Sequence, residues 1–205
     1  MKKLQFLILL LFLCNHVFAQ KFEGIITFKM NAQGKELEMK AVTKDGKIKL
    51  QMEMYGMKMD QLLKEKAVIY SIVHAQKMVL KMTIPNTINQ SYIQCNVKLT
   101  GEKKEILGFS CESFETECSD KSSLKGWISK DLDFSLADIM KATNGNEIEQ
   151  AQLPKGSVIK MTGKGKKNEE FSLEIVKLER KSVSDTEFDI PEGYMLQDMG
   201  SMPGR

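Results

Sequence analysis

Apolar and polar residues alternate along most of the chain, which is the pattern of β-strands with one buried face. The first apolar face carries Phe22, Gly24, Ile26, Phe28 and Met30. Because successive side chains of a strand point to opposite faces, this period of two predicts a half-buried strand. The pattern returns at 37–41 and 48–54, and Asp45 with Gly46 between them is a strong signal for a tight hairpin turn.

The alternation slips by one residue at Tyr55 and Gly56. A bulge or sharp bend there would keep the residues on both sides of the slip facing the same interior. Later alternating or apolar segments predict further strands at 67–73, 78–84, 92–99, 105–117, 127–128, 157–162, 171–178 and 188–190. A turn is predicted at 100–102, between the strands at 92–99 and 105–117. The predicted fold is mainly β, a single antiparallel sheet of about ten strands.

One helix is expected among these strands. Ser135 and Asp138 form an N-terminal capping pattern, and Asn144 with Gly145 is a typical C-terminal stop. The spacing therefore predicts one short helix over 135–143.

The first residues have the features of an export signal. Lys2 and Lys3 precede an apolar run, and Ala19 is the small residue that cleavage requires before Gln20. We expect a signal peptide over 1–19 that is removed after Ala19, since its apolar run is too short to span a bilayer. Lipid attachment at Cys14 is disfavoured because the bulky Leu13 precedes it.

The sequence predicts a periplasmic or secreted protein with no integral membrane anchor, a single domain over 20–194 and a flexible C-terminal tail over 195–205. The net charge is +3, and the loss of two signal-peptide lysines lowers it by two. A surface so nearly balanced in charge argues against nucleic acid as a partner.

Three cysteines remain after the signal peptide: Cys95, Cys111 and Cys118. Cys111 and Cys118, if they share one extended strand, lie about 23 Å apart, which is beyond disulfide reach. The preferred pairing is therefore Cys95 with Cys111 on a neighbouring strand, and the remaining thiol is interpreted as a buried apolar side chain.

Recognisable catalytic and metal-binding patterns are absent from the sequence. His74 is the single histidine beyond the signal peptide, and it falls in a predicted hairpin turn, where we interpret it as an exposed turn residue. The segment around Ser110 lacks the closing glycine and following helix of a nucleophile elbow. We expect no enzyme activity, no catalytic residue, no metal and no cofactor.

Methionine is unusually frequent, with fourteen residues in the chain. Flexible thioethers suit an irregular apolar guest such as a lipid, and they also fill ordinary cores; copper(I) binding is disfavoured because the methionine-rich strands carry no histidine. The predicted lining of an apolar cavity is Met52, Met54, Tyr55, Met57, Ile69, Met78, Leu80 and Met82.

Several short motifs resemble those of a Bacteroidetes-type secreted family of unknown function. They are Phe22-Glu23-Gly24, Thr100-Gly101-Glu102, the run 106–111, Trp127-Ile128, and the runs 182–185 and 188–194. Such proteins are similar in pattern to the LolA and LppX group of periplasmic lipoprotein and lipid carriers. That resemblance implies a long sheet curled into a half-barrel, a helical plug and an apolar cavity.

The sequence thus favours a non-enzymatic binding protein for a hydrophobic ligand, either a lipid or the acyl chain of a lipoprotein. The alternative is a structural or protein-interaction module of the cell envelope, in which the same residues form a closed core and the partner is an envelope protein.

Overall fold

The alternating segments form one open, curled β-sheet of twelve strands. The structure is a computed structural model. It describes residues 21–32, 34–54, 56–65, 68–83, 95–134, 139, 153–165 and 169–201. The prediction of a mainly β chain with a single sheet is confirmed, and the number of strands is twelve rather than about ten.

The strands follow one another with few other elements between them. They are Gly24–Ala32 (β1), Lys35–Lys44 (β2), Lys47–Met54 (β3), Met57–Glu65 (β4), Val68–Val73 (β5), Met78–Thr83 (β6), Cys95–Ile106 (β7), Phe109–Cys118 (β8), Ser123–Ser129 (β9), Ser157–Lys164 (β10), Glu170–Arg180 (β11) and Met195–Ser201 (β12). Short 3-10 turns lie at His74–Gln76 and Asp185–Phe188.

The sheet consists of two meanders. The first strand of one meander pairs with the last strand of the other. The order across the sheet is β12-β6-β5-β4-β3-β2-β1-β11-β10-β9-β8-β7. Strands β1 to β6 form one meander and β7 to β11 the other, and β1 pairs with β11 to connect them. All neighbours are antiparallel except β12, which runs parallel to β6.

Two corrections account for the additional strands. At Gly56 the chain reverses completely, so the strand predicted to bend there becomes β3 and β4, with Met54 opposite Met57. Residues predicted to be a flexible tail over 195–205 instead form β12 as far as Ser201, and the Met195 amide donates to the Lys77 carbonyl at 2.9 Å. Local alternation could not reveal this strand because its pairing depends on the open edge of β6.

The short strand predicted at 188–190 is absent, since Phe188 ends a 3-10 turn and Asp189 follows it outside any strand. The helix predicted over 135–143 lies outside the described residues except for Ile139, which is buried in the main core.

We call the sheet face that carries Ile26, Phe28 and Leu50 the inner face, and the opposite face the outer face. The main hydrophobic core packs against the inner face from β1 to β3 and from β8 to β11. Residues 181–194, which we call the strap, cross the outer face. Val183 and Phe188 of the strap pack with Val42 there.

Further along the strap, Ile190 and Tyr194 pack on a second outer-face cluster, made of Leu62, Tyr70, Ile72 and Val79. The strap therefore leads the chain from β11 to the edge of β6, where β12 begins. Among the described residues there is no helix with the length and apolar character needed to cross a membrane.

The disulfide joins Cys95 to Cys118, so the predicted pairing of Cys95 with Cys111 is wrong. Strand β7 continues through the turn predicted at 100–102 and reverses only after Ile106. This register places Cys95 opposite Cys118, with 4.0 Å between their Cα atoms, and Cys111 opposite Lys104.

Cys111 is the free, buried thiol. Burial raises the pKa of this thiol, so little nucleophilic thiolate is present at neutral pH. In a chain that starts at residue 20, we expect almost no reaction with a thiol reagent such as Ellman's reagent under native conditions, and one thiol per chain in denaturant. The Cys111→Ser variant should give no signal in denaturant. Rapid stoichiometric labelling of the native protein would contradict this prediction.

Candidate ligand-binding face

One row of apolar side chains crosses six neighbouring strands on the inner face. Its members, paired from strand to strand, are Phe28, Met39, Met52, Met59, Val73 and Met78. We call this set the methionine row. It forms because hairpins β1 to β6 keep a common register, so that one apolar position of each strand meets the next.

Burial decreases along the methionine row. Phe28 and Met39 are each only 1% exposed, whereas the side chains of Met52, Met59, Val73 and Met78 are half-buried. The row therefore emerges from the packed centre of the sheet toward the β6 edge. Apolar area at this end remains available for further contact.

A second row runs beside the first on the same face. Its members are Ile26, Ala41, Leu50, Gln61, Ser71 and Leu80, and we call it the glutamine row. Its first three residues are fully buried, and Gln61 and Ser71 are buried opposite each other on β4 and β5. Two polar side chains thus lie within an otherwise apolar surface.

Six of the eight predicted lining residues hold inner-face positions on β3 to β6: Met52, Met57, Ile69, Met78, Leu80 and Met82. Ile69 is fully buried opposite Met82, and Met57 lies at the exposed end of β4. Met54 occupies the backbone position opposite Met57, and Tyr55 lies outside the described residues. The six described residues are therefore brought to one region of the sheet.

Two cavities lie elsewhere. A groove of about 740 Å³ near the ends of β8 to β11 has both polar and apolar walls, with Glu115, Lys125, Leu124 and Phe171 among its lining. A smaller one of about 370 Å³ lies on the outer face near Ile25. None of the six described lining residues borders either cavity. In the described part of the chain, the methionine-rich region is thus a partly covered sheet surface.

The inner face of β3 to β6 is uncharged throughout its described residues. The positions are occupied by Ile48, Leu50, Met52, Met57, Met59, Gln61, Leu63, Ile69, Ser71, Val73, Met78, Leu80 and Met82. Burying an ionised group against such a surface is costly because nothing there compensates its charge. The face suits a neutral, mainly apolar molecule.

Gln61 is a residue of this face that was not among the predicted lining residues. The signal was present, since Met57, Met59, Gln61 and Leu63 are alternate residues and a glutamine therefore occupies a position that the pattern assigns to the interior. The Oε1 atom of this glutamine is buried and accepts no hydrogen bond from the part of the protein that the structure describes.

On the outer face, His74 connects the sheet to the strap. Its Nε2 atom lies 3.1 Å from Oδ2 of Asp60, and its Nδ1 atom lies 3.0 Å from the Tyr194 hydroxyl. Lys49 Nζ lies 3.6 Å from the same Asp60 oxygen and 3.2 Å from Oε2 of Glu187. His74 is thus an anchoring residue, one-third exposed, rather than a freely exposed turn residue.

These contacts hold the strap against the sheet. Among the described residues, the polar partners of His74 are Asp60 and Tyr194, and neither is a serine or cysteine that it could activate as a nucleophile. In the described part of the chain, no three His, Cys, Asp or Glu side chains are grouped so as to hold a metal ion.

The fold is similar to that of an uncharacterized conserved protein from Thermus thermophilus, with a TM-score of 0.55 and 8% identity over 86% of this chain and 91% of that one. It is also similar to PNGF-II, with a TM-score of 0.50 and 17% identity over 86% of this chain but only 30% of PNGF-II. At such identities the likeness concerns the fold alone.

A third match, to a DUF1329 family protein from Desulfovibrio piger, has a TM-score of 0.34 and 13% identity over 84% of this chain and 91% of that one. A score this low carries no argument about the fold. No curated protein matches the chain. Residues 22–194 match the model of a domain of unknown function, DUF4412, and the chain therefore belongs to the DUF4412 family.

Proposed function

We propose that this protein is a non-enzymatic carrier that binds a hydrophobic ligand, either a lipid or the acyl chain of a lipoprotein, on the inner face of β3 to β6. The observation that carries the proposal is the methionine row, which is packed at Phe28 and half-buried from Met52 to Met78. Apolar side chains that a protein leaves partly open in a contiguous patch commonly mark a binding surface.

The shape of the sheet supports the same function. A curled open sheet has an inner side that an apolar ligand can occupy, as in the half-barrel that the resemblance to the LolA and LppX carriers implies. Each methylene that leaves water contributes about 0.8 kcal/mol. Contact with about ten methylenes therefore supplies about 8 kcal/mol before the costs of association, and flexible methionines adapt to the exact shape of the chain.

Export to the periplasm or the medium is part of the proposal. The Cys95–Cys118 disulfide supports it, because structural disulfides persist mainly in oxidising compartments. The signal-peptide pattern over 1–19 supports it independently. Determining the N-terminal residue of the protein recovered from its natural host tests this part directly, and an intact Met1 would contradict it.

The binding test uses displacement of a fluorescent fatty-acid analogue, together with native mass spectrometry of the purified protein. We expect Met78→Glu to weaken binding of the analogue at least tenfold, because the ligand would then have to bury a carboxylate. Leu196→Glu is the matched control, since Leu196 lies on β12 opposite Val79 of the outer face and is 52% exposed. This control should bind as the wild type does.

Circular dichroism and urea unfolding establish that both variants are folded before binding is compared. Equal binding by Met78→Glu and the wild type would place the ligand elsewhere. Failure of the wild-type protein to bind the analogue or to retain any co-purified lipid would contradict the carrier function.

The second candidate is an interaction module of the cell envelope, and β12 is the observation that favours it. Met195, Leu196 and Met199 expose most of their apolar side chains on this strand. β12 also ends the sheet, so its outer edge pairs with no described strand. Unpaired edges with apolar side chains favour association with other chains. This candidate remains if the wild type takes up no lipid.

A further inference from the structure

A buried hydrogen-bond acceptor lies within the proposed binding face. Gln61 is 7% exposed, and its Oε1 atom is buried without a hydrogen-bond donor from any described residue. A buried polar atom that lacks a partner costs about 1–3 kcal/mol, and most such atoms in folded proteins are paired. A side chain held in this state at a proposed binding site points to a partner supplied by the ligand.

The position of Gln61 narrows the type of partner. Leu50 and Ser71 lie opposite it on the two neighbouring strands. On one side of the glutamine row lies the methionine row, with Met59 nearest along β4. On the other side lie Leu63 and the pair formed by Ile69 and Met82. The acceptor is therefore surrounded by apolar positions along the strands in both directions.

We propose that the ligand carries a neutral hydrogen-bond donor, a hydroxyl or an amide N–H, within an otherwise apolar body, and that Gln61 Oε1 accepts its hydrogen bond. This inference rests on the proposed carrier function and deepens it. The donor is neutral because the described inner face of β3 to β6 offers no charge to compensate an ion. It lies within the apolar body because apolar residues flank Gln61 on both sides.

Ser71 adds to the polar spot. It is 4% exposed and lies directly opposite Gln61 in the register of β4 and β5. A serine hydroxyl both donates and accepts, so it can hydrogen-bond the oxygen of a ligand hydroxyl whose proton goes to Gln61. Together the two side chains match a hydroxyl group, which is itself a donor and an acceptor.

A ligand reaches Gln61 by displacing the side chains that cover it. The neighbouring Met52 and Met59 are half-buried and unbranched, and methionine changes rotamer at little cost. When these two side chains change rotamer, an apolar ligand chain takes over their contacts with the face. The donor of the ligand then reaches Oε1 of Gln61. The hydrogen bond between the ligand's donor and Gln61 then adds to the binding free energy that the apolar contacts supply. Ligands of the same apolar body make the same apolar contacts whether or not they carry the donor.

The test compares methyl oleate with methyl ricinoleate, two uncharged esters that differ by one hydroxyl in mid-chain. Binding is measured by displacement of the fluorescent fatty-acid analogue. We expect wild-type protein to bind the ricinoleate about tenfold more tightly, the factor that one hydrogen bond to an otherwise unpaired buried group supplies. In Gln61→Met the preference for the ricinoleate should be lost or reversed, because its hydroxyl would be buried without its acceptor, and methyl oleate should bind at least as tightly as to the wild type.

Gln61→Leu is a second variant that also removes the acceptor, in case the first does not fold. Gln51→Met is the matched control, since Gln51 lies on the outer face of β3 opposite Asp60. It should keep the tenfold preference. The inference is overturned if the wild type binds both esters equally, or if Gln61→Met retains the preference. If the wild type binds neither ester nor the fluorescent analogue, the carrier function itself fails.

Discussion

Phe28→Ala is expected to lower the free energy of unfolding by about 4 kcal/mol, because removal of a buried phenyl ring loses its transfer energy and leaves a cavity. Phe28 is 1% exposed and lies in the main core, where the methionine row begins. Urea unfolding followed by circular dichroism measures this change. Since β1 is the strand that joins the two meanders, the surroundings have little freedom to collapse into the cavity.

Val176→Ala is the control for this variant. Val176 is on β11, which pairs with β1, but its side chain is 37% exposed. We expect it to cost less than about 1 kcal/mol, the span of strand propensity at a surface position. Equal losses for the two variants, or a loss below about 1 kcal/mol for Phe28→Ala, would show that the ring is not part of a packed core.

Removal of the disulfide is the second change with a large expected effect. Replacing both Cys95 and Cys118 by serine should lower the free energy of unfolding by about 3 kcal/mol. The bond spans 23 residues of sequence, and its loss enlarges the conformational freedom of the unfolded chain. Urea unfolding of the double variant and the wild type measures the difference.

A reductant provides the control for the disulfide. Reduction should bring the wild type to the stability of the double variant and leave the double variant unchanged, since Cys111 is the free thiol. A double variant as stable as the oxidised wild type would show that the disulfide adds no stability to the β7–β8 hairpin.

Alternation in the sequence was sufficient to predict most strands of the first meander and the faces they bury, but it did not predict the reversal at Gly56 that separates β4 from β3. Asp45 and Gly46 place the turn between β2 and β3 as expected, because the turn chemistry and the alternation agree there. For the same reason the sequence grouped Met52, Met78 and Leu80 before their register was known. Local signals predict a face wherever tight turns connect the strands.

Features that depend on distant parts of the chain were not predictable in this way. The register of β7 and β8 depends on which residue ends the hairpin, and a reversal after Ile106 instead of at 100–102 changed the partner of Cys95. The decrease in burial from Phe28 to Met78 depends on the pairing of β1 with β11, which places β1 in the centre of the sheet. The lack of a described hydrogen-bond donor at Gln61 Oε1 also depends on which residues of other strands surround it.

The junction between β1 and β11 also determines when the sheet can be completed. Gly24 pairs with Arg180, so β1 can form its pairing with β11 only after nearly the whole chain has been synthesised. Pairings between residues so far apart in sequence form slowly, because a long loop has to close first. Until β11 is made, β1 and β10 each present an unpaired edge. Under the proposed export, the chain would cross the membrane before this junction closes.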